Sequence, residues 1–216
     1  MMLNNYFVNT ILGAGLFRFQ YLFFSQFVNE ITAHTIYALN HAVFFGSLCS
    51  AYKLGWISNN NFYNLLGISL GETLHDLLLV YKKKDYPMTV HHVFMTLSIV
   101  FPMLERYGLI QLPSDYLKYF SQLYLCEWSN VFLNISYILY KNDLSHFSVF
   151  KYINYGLIGT YFPLRICNFT LIQYYLFTNK HYVIFGLMAP NTLLNYYWFY
   201  KLIQKANKLS KDDKND

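Results

Sequence analysis

The stretch Ser69–Val100, "SLGETLHDLLLVYKKKDYPMTVHHVFMTLSIV", joins two apolar runs through a short basic turn, Lys82–Lys84. Apolar residues dominate both runs, yet Glu72 and Asp76 interrupt the first run, and the pair His91–His92 opens the second. A helical run of about 20 apolar residues is long enough to cross a bilayer. Ionisable side chains in such a run are costly against lipid, so they must face other helices or a wet cavity. The stretch therefore predicts a helical hairpin with a polar inner face.

The composition of the whole chain has the same character. Of its 216 residues, 55% are hydrophobic, 21% are aromatic and only 12% are charged, and the mean hydropathy is +0.23. A soluble domain carries about 25% charged residues, so this chain has too few to cover a water-facing surface. Its three cysteines, Cys49, Cys126 and Cys167, stand singly in apolar runs, which indicates buried thiols and no disulfide framework. The composition predicts an all-α, polytopic membrane protein.

Seven apolar runs predict seven helices, each about as long as a bilayer requires. They are Tyr6–Val28, Ala33–Trp56, Phe62–Tyr81, Met88–Leu104, Tyr116–Tyr140, Val149–Tyr175 and Tyr182–Gln204. Arg18 interrupts the first run, which leaves open whether that helix spans the membrane or lies in its interface. The fifth run contains the polar sequence "WSN", Trp128–Asn130, near which a helix can break.

The distribution of basic residues predicts the orientation. If the spans alternate, the basic turn Lys82–Lys84, the loop with Lys141 and Lys151, and the C-terminal lysines fall on one side. The opposite loops carry fewer basic residues: Lys53, Arg106, Lys118 and Lys180. Because basic loops are retained in the cytosol, the C-terminus is expected there. Six spans place the N-terminus in the cytosol and seven place it in the lumen, and both remain open.

Polar residues of the hairpin fall on shared helical faces. Ser69, Glu72 and Asp76 follow at i, i+3 and i+7, which places them on one face of a helix. His91 and His92 lie about 100° apart around their axis, so at most one can point at the centre of a cavity. If the turn centres near Lys84, Asp76 and one of the histidines reach similar depth. A carboxylate at that distance orients an imidazole and favours its protonated form.

Other predicted helices carry polar stripes as well. His34 and His41 stand two turns apart on one face of the second helix, and Arg165 follows Pro163 in the sixth. Two further stripes are Glu127, Asn130 and Asn134 on the fifth helix and Asn191, Asn195 and Trp198 on the seventh. The asparagines favour interhelical hydrogen bonding. For Arg165 two roles stay open, charge partner of a carboxylate or ligand of a lipid headgroup or phosphate.

Three segments, in this order, resemble the TLC domain: "LNHAVFFGSLCSAY" at Leu39–Tyr52, the stretch Ser69–Val100, and "LYLCEWSNVFLNISYIL" at Leu123–Leu139. The likeness continues through "LRI" and "LLNYYWFYKLIQ" and covers about Ala33 to Lys205. This family includes ceramide synthases and several membrane proteins of lipid homeostasis. The resemblance implies a six-helix membrane barrel around a central lipid-accommodating cavity. Residues 33–205 would form it, after an N-terminal segment 1–32 that holds the extra helix and before a charged cytosolic tail, 206–216.

The resemblance also assigns residues. In ceramide synthases, paired histidines and nearby acids are taken to support N-acyl transfer from acyl-CoA to a sphingoid base. Here His91, His92 and Asp76 match those catalytic positions. The expected cavity or lipid-binding residues are His41, Glu127, Asn134, Arg165 and Asn195, which match polar positions of the family, and Glu72, which lies on the polar stripe of the third helix. The chain lacks the second "HD…D" segment that follows the histidine pair in the synthases, so it is more similar to the non-synthase members.

The expected function is therefore the binding of a lipid or acyl chain in a polar-lined intramembrane cavity, in lipid metabolism or homeostasis. An N-acyltransferase that uses acyl-CoA as co-substrate is one alternative. A proton-coupled carrier is another, because His, Asp and Glu chains also form proton relays. The endoplasmic reticulum or a related membrane is the expected location.

Partners and cofactors follow from the same residues. Membrane lipids are the expected partners, with a homo- or hetero-oligomer left open, and no nucleic acid is expected because the basic residues flank membrane spans. The seven histidines show neither HxxxH nor HxxHH spacing, so no metal site is predicted. No cofactor is predicted apart from acyl-CoA as a co-substrate of the enzyme alternative.

Overall fold

The computed structural model of the chain describes residues 2–212, and the surroundings of side chains 5–207. Within residues 2–212, every regular element is helical. The helices are α1 (Met2–Phe24), α2 (Glu30–Lys53), α3 (Asn59–Lys82), α4 (Tyr86–Arg106), α5 (Tyr116–Tyr124), α6 (Glu127–Lys141), α7 (Ser148–Tyr161), α8 (Asn168–Thr178) and α9 (Tyr182–Asp212). A π-helical turn, Phe162–Cys167, joins α7 to α8. The all-α prediction is confirmed for this part of the chain.

The helices belong to two compact units. The first unit ends at Glu127 and contains α1 to α5, and the second begins at Trp128 and contains most of α6 with α7 to α9. The division falls inside the range 33–205 that the family resemblance assigns to one domain. A single TLC-like domain therefore stays a prediction.

The local sequence accounts for where the first helices begin. Asn29 accepts a hydrogen bond from the amide of Thr32 at 2.8 Å before α2, and Asp85 accepts one from the amide of Met88 at 3.2 Å before α4. Such side chains satisfy amides that have no partner within the helix. Between α3 and α4 the chain reverses at Lys84, whose φ is 57°. The turn of the hairpin therefore lies at Lys84, the position assumed when the depths of Asp76 and the histidines were compared.

Glycines allow α1 to pack closely on α3 in the first unit. A Cβ atom on Gly71 would lie 2.1 Å from the carbonyl oxygen of Thr10, and one on Gly13 would lie 2.4 Å from that of Ile68. Since real Cβ contacts do not occur at such distances, only glycine fits at both positions. Small residues at helix interfaces let two backbones approach in this way. The helix containing Arg18 is thus an integral part of the first unit.

The second unit has its core between α7 and α9. Leu157, Tyr161 and Ile166 are buried there and pack against aromatic side chains of α9, Trp198 and Phe199. Pro163 stands in the π-helical turn and has no backbone N–H to donate to the helix ladder. The same turn carries Arg165, which is only 3% exposed. Turns of this type occur often where a helix presents a functional side chain.

Two predicted helices are interrupted. The run Tyr116–Tyr140 divides at residues 125–126, slightly before the predicted break at Trp128–Asn130. There the amides of Leu125 and Cys126 bond to carbonyls three residues back, as in a 3₁₀ turn. The run Val149–Tyr175 continues through the π-helical turn. The other predicted boundaries lie within a few residues of the observed ones, except that α9 extends beyond Gln204.

By length and composition, two helices in the described part of the chain could cross a membrane. They are Asn5–Phe24 and Tyr86–Arg106, and only 11% and 28% of their apolar windows are buried in the protein. Helices α5 to α8 are shorter than 18 residues. Helices α2, α3 and α9 carry more tyrosine, asparagine and ionisable side chains, which lower their mean hydropathy. These two helices give weak support to membrane association.

Candidate functional site

A shared carboxylate brings α2, α3 and α4 together in the first unit. Asp76 Oδ1 lies 2.7 Å from His34 Nε2, and Asp76 Oδ2 lies 2.8 Å from His92 Nε2. Asp76 is 5% exposed and sits at mid-α3, where the polar stripe predicted it. Each oxygen of the carboxylate thus holds one imidazole, and the two imidazoles come from different helices. The structure brings Asp76 to His92, one of the two histidines expected at a similar depth.

A second pair lies one helical turn away. His41 Nδ1 is 3.2 Å from Glu72 Oε2, and the Thr73 hydroxyl donates to the same oxygen at 3.3 Å. Glu72 precedes Asp76 by four residues, so both carboxylates project from one face of α3. His34 and His41 stand two turns apart on the facing helix. We refer to His34, His41, Glu72, Asp76 and His92 together as the histidine–carboxylate cluster.

Aromatic rings cover this cluster. The Phe17 ring of α1 meets the rings of Tyr37 and His41 edge-on, with centroid distances of 5.5 and 5.7 Å. Tyr37 donates a hydrogen bond to the backbone oxygen of Glu72 at 3.2 Å, and its hydroxyl lies 3.4 Å from His75 Nδ1. Because the rings exclude water, electrostatic interactions inside the cluster are stronger than at a surface.

Four imidazole nitrogens at the cluster make no hydrogen bond with the described residues: His41 Nε2, His75 Nε2, His92 Nδ1 and His92 Nε2. The last of these lies 2.8 Å from Asp76 Oδ2 in an ion-pair contact. Buried polar atoms are nearly always paired in native proteins, so an exception needs an explanation. A ligand with polar atoms, or water, would supply the missing partners. This feature distinguishes the cluster from a self-contained ion-pair network.

The geometry of His92 determines which of its nitrogens is available. Nε2 faces the carboxylate of Asp76, and in a neutral ring this nitrogen carries the proton. Nδ1 then holds a lone pair and points away from the carboxylate. If His92 acts as a general base, Nδ1 is the reacting atom and Asp76 stabilises the imidazolium that forms.

His91 is buried beside this group. It is 7% exposed, and its ring centroid lies 5.3 Å from that of His92 at an interplanar angle of 74°. His92 is the member of the pair that meets Asp76, which agrees with the expectation that only one of the two faces the centre. A catalytic role for either histidine stays a prediction.

A second polar cluster surrounds Arg165 in the second unit. The guanidinium donates from Nε to Ser129 Oγ, from Nη1 to Asn195 Oδ1 and from Nη2 to Asn130 Oδ1, each at 2.7 Å. The Tyr161 ring lies 5.1 Å from its central carbon, and the Tyr161 hydroxyl donates to Asn195 Oδ1 at 3.2 Å. We refer to Ser129, Asn130, Tyr161, Arg165 and Asn195 as the arginine cluster.

Two other predicted cavity residues are placed individually. Glu127 is 3% exposed and begins α6 at the end of the first unit. Asn134 is half-buried on α6 and, among the described residues, forms no hydrogen bond with the arginine cluster. A cavity shared by Glu72, Asp76, Glu127 and Arg165 stays a prediction.

Sequence reasoning did not assign His34, Tyr37 or Ser129 to a site. For His34 the sequence did carry a signal: its seven-residue spacing from His41 places both histidines on one face of the helix. Tyr37 lies between those two histidines on the same helix, but a tyrosine in a chain with 22 of them carries little information. Ser129 is adjacent to Asn130 and is fully buried.

Within the described residues, no three His, Cys, Asp or Glu side chains are arranged to hold a metal ion. The His34–Asp76 distance of 2.7 Å is that of a hydrogen bond, and His92 Nε2 lies 2.8 Å from the same carboxylate in an ion-pair contact. Comparison of the chain with protein-family models, with curated proteins and with solved structures finds no match. The functional interpretation therefore rests on the geometry of the clusters and on the order of the sequence motifs.

Proposed function

We propose that the chain is a multi-pass membrane protein that binds a lipid or acyl chain beside the histidine–carboxylate cluster and acts in lipid metabolism or homeostasis. The observation that carries this proposal is the set of unpartnered imidazole nitrogens on His41, His75 and His92, buried among apolar helices. A membrane of the endoplasmic reticulum or a related compartment is the proposed location. The order of TLC-like motifs from Ala33 to Lys205 supports the same class of function.

The outer surface of the chain supports placement in a membrane. Large apolar side chains are exposed along several helices, among them Phe7, Phe19, Leu78, Leu171, Tyr174, Val183 and Leu193, each at least 60% exposed. Soluble monomers rarely expose contiguous apolar patches of more than a few hundred Å². A bilayer covers such surface, whereas polar stripes such as that of Glu72 and Asp76 stay inside. The all-helical architecture and this surface support the proposed multi-pass arrangement.

The chemistry of the cluster indicates the class of ligand. The imidazole nitrogens accept or donate hydrogen bonds, while the rings of Phe17 and Tyr37 form an apolar wall. A headgroup with a hydroxyl, amine or carbonyl would satisfy His41 Nε2 and His92 Nδ1. Its hydrocarbon chain would lie between apolar helices, as in most small-ligand sites.

The test is to identify lipids that copurify with the protein. We expect one lipid class to be enriched over the bulk membrane in wild-type protein purified in a mild detergent, as measured by mass spectrometry. That enrichment should be lost in His92→Ala and retained in His146→Ala, which removes an exposed histidine outside the cluster. No enrichment in the wild type, or equal enrichment in His92→Ala, would contradict the proposal.

An acyltransferase is the second candidate, and the orientation of His92 favours it. With Nε2 against Asp76 and Nδ1 unpartnered, His92 has the arrangement of a general base. In liposomes with labelled acyl-CoA and a panel of long-chain amines and alcohols, His91→Ala or His92→Ala should abolish product. A lost general base costs roughly 10²–10⁴-fold in rate. Asp76→Asn should cost less, because an amide still orients the ring.

The two candidates give different results in that assay. If wild-type protein turns over no acceptor in the panel, the lipid-binding function stands alone. Turnover that survives both histidine substitutions would contradict the proposed mechanism. Thermal unfolding of each variant serves as the control for folding.

The proposed topology has its own test. Lys82–Lys84 and the tail after Lys205 are placed on the cytosolic side, because basic loops are retained there. Cys49, Cys126 and Cys167 are replaced first, and single cysteines are then introduced at Lys83, in the tail and at Lys180. In sealed microsomes a membrane-impermeant reagent should label the first two positions and spare Lys180→Cys. Protection of either cytosolic position would contradict the topology.

A further inference from the structure

A threonine on the inner face of α4 departs from the pattern of most helical threonines in this chain. Their hydroxyls donate to the backbone oxygen four residues earlier, as at Thr10, Thr35, Thr73, Thr89, Thr160, Thr170, Thr178 and Thr192. The hydroxyl of Thr96 is shut off from solvent, yet it makes no hydrogen bond with the described residues. Because a buried hydroxyl without a partner costs free energy, Thr96 calls for a partner that a ligand would supply.

The register of the α3–α4 hairpin places Thr96 at the level of the histidine–carboxylate cluster. The chain reverses at Lys84, and Asp76 and His92, each eight residues from that turn, are in contact. Glu72 and Thr96 each lie twelve residues from the turn and are therefore level with one another on the packed helices. Thr96 follows His92 by four residues, so both side chains project from the same face of α4. Thr96 thus lies one turn, about 6 Å, deeper than His92.

His41 presents a second unpartnered atom at the level of Glu72. Its Nδ1 lies 3.2 Å from Glu72 Oε2, so in a neutral ring Nδ1 carries the proton and Nε2 keeps a lone pair. That Nε2 is buried and makes no hydrogen bond with the described residues. The cluster therefore offers a ligand two positions one helical turn apart. The first is His92 Nδ1, and the second is His41 Nε2 together with the Thr96 hydroxyl.

The atoms at these two positions define the polar groups that a ligand must carry. Lone pairs of neutral imidazoles accept hydrogen bonds, so each position calls for a donor, whereas an ester carbonyl would leave both nitrogens unpaired. Glu72 and both oxygens of Asp76 already face imidazoles. A buried ammonium would need such a carboxylate for itself, so neutral hydroxyls suit the site. A hydroxyl that donates to His41 can also pair with Thr96, whose own hydroxyl donates and accepts.

We infer that the lipid bound at the cluster carries two hydroxyl groups a few bonds apart. One hydroxyl donates to His92 Nδ1, and the other lies between His41 Nε2 and Thr96 Oγ1. This inference rests on the proposed function, because it requires that a lipid bind at the cluster. It adds Thr96 as the residue that selects a long-chain diol over a long-chain alcohol.

The experiment measures equilibrium binding of two tritiated lipids of equal chain length, octadecane-1,4-diol and octadecan-1-ol, to the full chain in detergent micelles. We expect wild-type protein to bind the diol about tenfold more tightly, because one net hydrogen bond contributes about that factor. Thr96→Val keeps the shape of the side chain and removes its hydroxyl. It should weaken binding of the diol about fivefold and leave binding of the alcohol unchanged. Thr96→Ser should restore the preference for the diol.

Thr89→Val is the matched control. Thr89 lies two turns before Thr96 on the same helix, and its hydroxyl already donates to the backbone oxygen of Asp85 at 2.7 Å. This substitution should change neither affinity, and thermal unfolding checks that each variant is folded. Equal weakening of the diol by Thr89→Val and Thr96→Val would overturn the inference, because the effect would then not depend on the unpartnered hydroxyl.

The two lipids separate this inference from the proposed function. His92→Ala should weaken binding of both lipids, because it removes the first position. Equal binding of the two lipids by wild type, with loss of both in His92→Ala, would overturn the inference and leave lipid binding at the cluster intact. A preference for the diol that persists in Thr96→Val would also overturn it. Binding of neither lipid by wild type would overturn it as well, and lipid copurification decides the proposed function independently.

Discussion

The histidine–carboxylate cluster and the arginine cluster are both buried and polar, yet they satisfy their hydrogen bonds differently. In the arginine cluster, three guanidinium nitrogens each donate to a neutral oxygen at 2.7 Å. In the histidine–carboxylate cluster, the carboxylates are engaged, but His41 Nε2 and His92 Nδ1 have no partner among the described residues. One cluster uses its donors to join helices, and the other leaves titratable atoms available.

This difference separates a structural role from a chemical one. A guanidinium stays charged and offers only donors in a rigid fork, so amide and hydroxyl oxygens at fixed positions can accept from it. Imidazole changes its protonation near neutral pH and has both a donor and an acceptor nitrogen. Buried networks with all members satisfied rigidify a fold, whereas incomplete ones indicate a missing partner. We therefore expect Arg165 to determine stability and His92 to determine ligand binding.

The largest expected effect tests the arginine cluster. Arg165→Met should lower the free energy of unfolding by about 3–5 kcal/mol, because the oxygens of Ser129, Asn130 and Asn195 each lose a charged donor. Thermal unfolding in detergent measures the change. The lipid enrichment of the folded fraction should persist. If Arg165→Met removed the copurifying lipid without loss of stability, the assignment of roles to the two clusters would be reversed.

The next effect tests the packing of the helix that covers the histidine–carboxylate cluster. Gly71→Ala should destabilise the protein by about 1–3 kcal/mol, since the new methyl group would meet the carbonyl oxygen of Thr10. Gly15→Ala is the matched control on α1, because nothing lies within 4 Å of its Cβ position. Both variants are compared by thermal unfolding. Equal stability of the two would show that α1 does not pack on α3 through Gly71.

Asp76→Asn should change the stability less than Gly71→Ala and the amount of copurifying lipid more. The amide keeps one acceptor oxygen and loses the other, so either His34 or His92 loses its carboxylate contact, at a cost of about 1–2 kcal/mol. The copurifying lipid should fall, but less than in His92→Ala, because the amide still orients one imidazole while the other loses its contact. Retention of wild-type lipid levels with a large loss of stability would indicate that Asp76 acts only in packing.

The smallest expected effect tests whether Tyr37 belongs to the ligand-binding residues. Tyr37→Phe removes a hydroxyl that donates to the backbone oxygen of Glu72 at 3.2 Å. We expect a loss of about 0.5–1.5 kcal/mol in the free energy of unfolding and little change in lipid enrichment. A strong loss of lipid with unchanged stability would place Tyr37 among the ligand-binding residues.

Helices and their polar faces were predictable from local patterns. The helix boundaries and the turn near Lys84 follow from apolar runs, capping side chains and turn residues, all of which act within a few positions. The break at residues 125–126 was located only approximately, because two 3₁₀-type hydrogen bonds rather than a sequence breaker end α5. The π-helical turn that carries Arg165 has Pro163 as its only sequence signal.

The contents of the clusters were predictable only in part. The hairpin predicted that Asp76 would meet one of the two adjacent histidines. It did not predict that Asp76 would also contact His34 of α2. The partners of Arg165 were left open between a carboxylate and a headgroup, and the structure brings Ser129, Asn130 and Asn195 to it. Such contacts join positions far apart in the chain, so no local pattern specifies them.

The amino-acid sequence by itself determined the all-helical architecture, the polar stripe of α3 and the hairpin that faces Asp76 toward the histidine pair. Those features depend on the 3.6-residue period and on the turn, which are local properties of the chain. The tertiary structure alone decided that His92 rather than His91 contacts Asp76, and that His34 shares the same carboxylate. Adjacent helical residues differ by about 100° and 1.5 Å, so the rotation and axial shift of packed helices select between them.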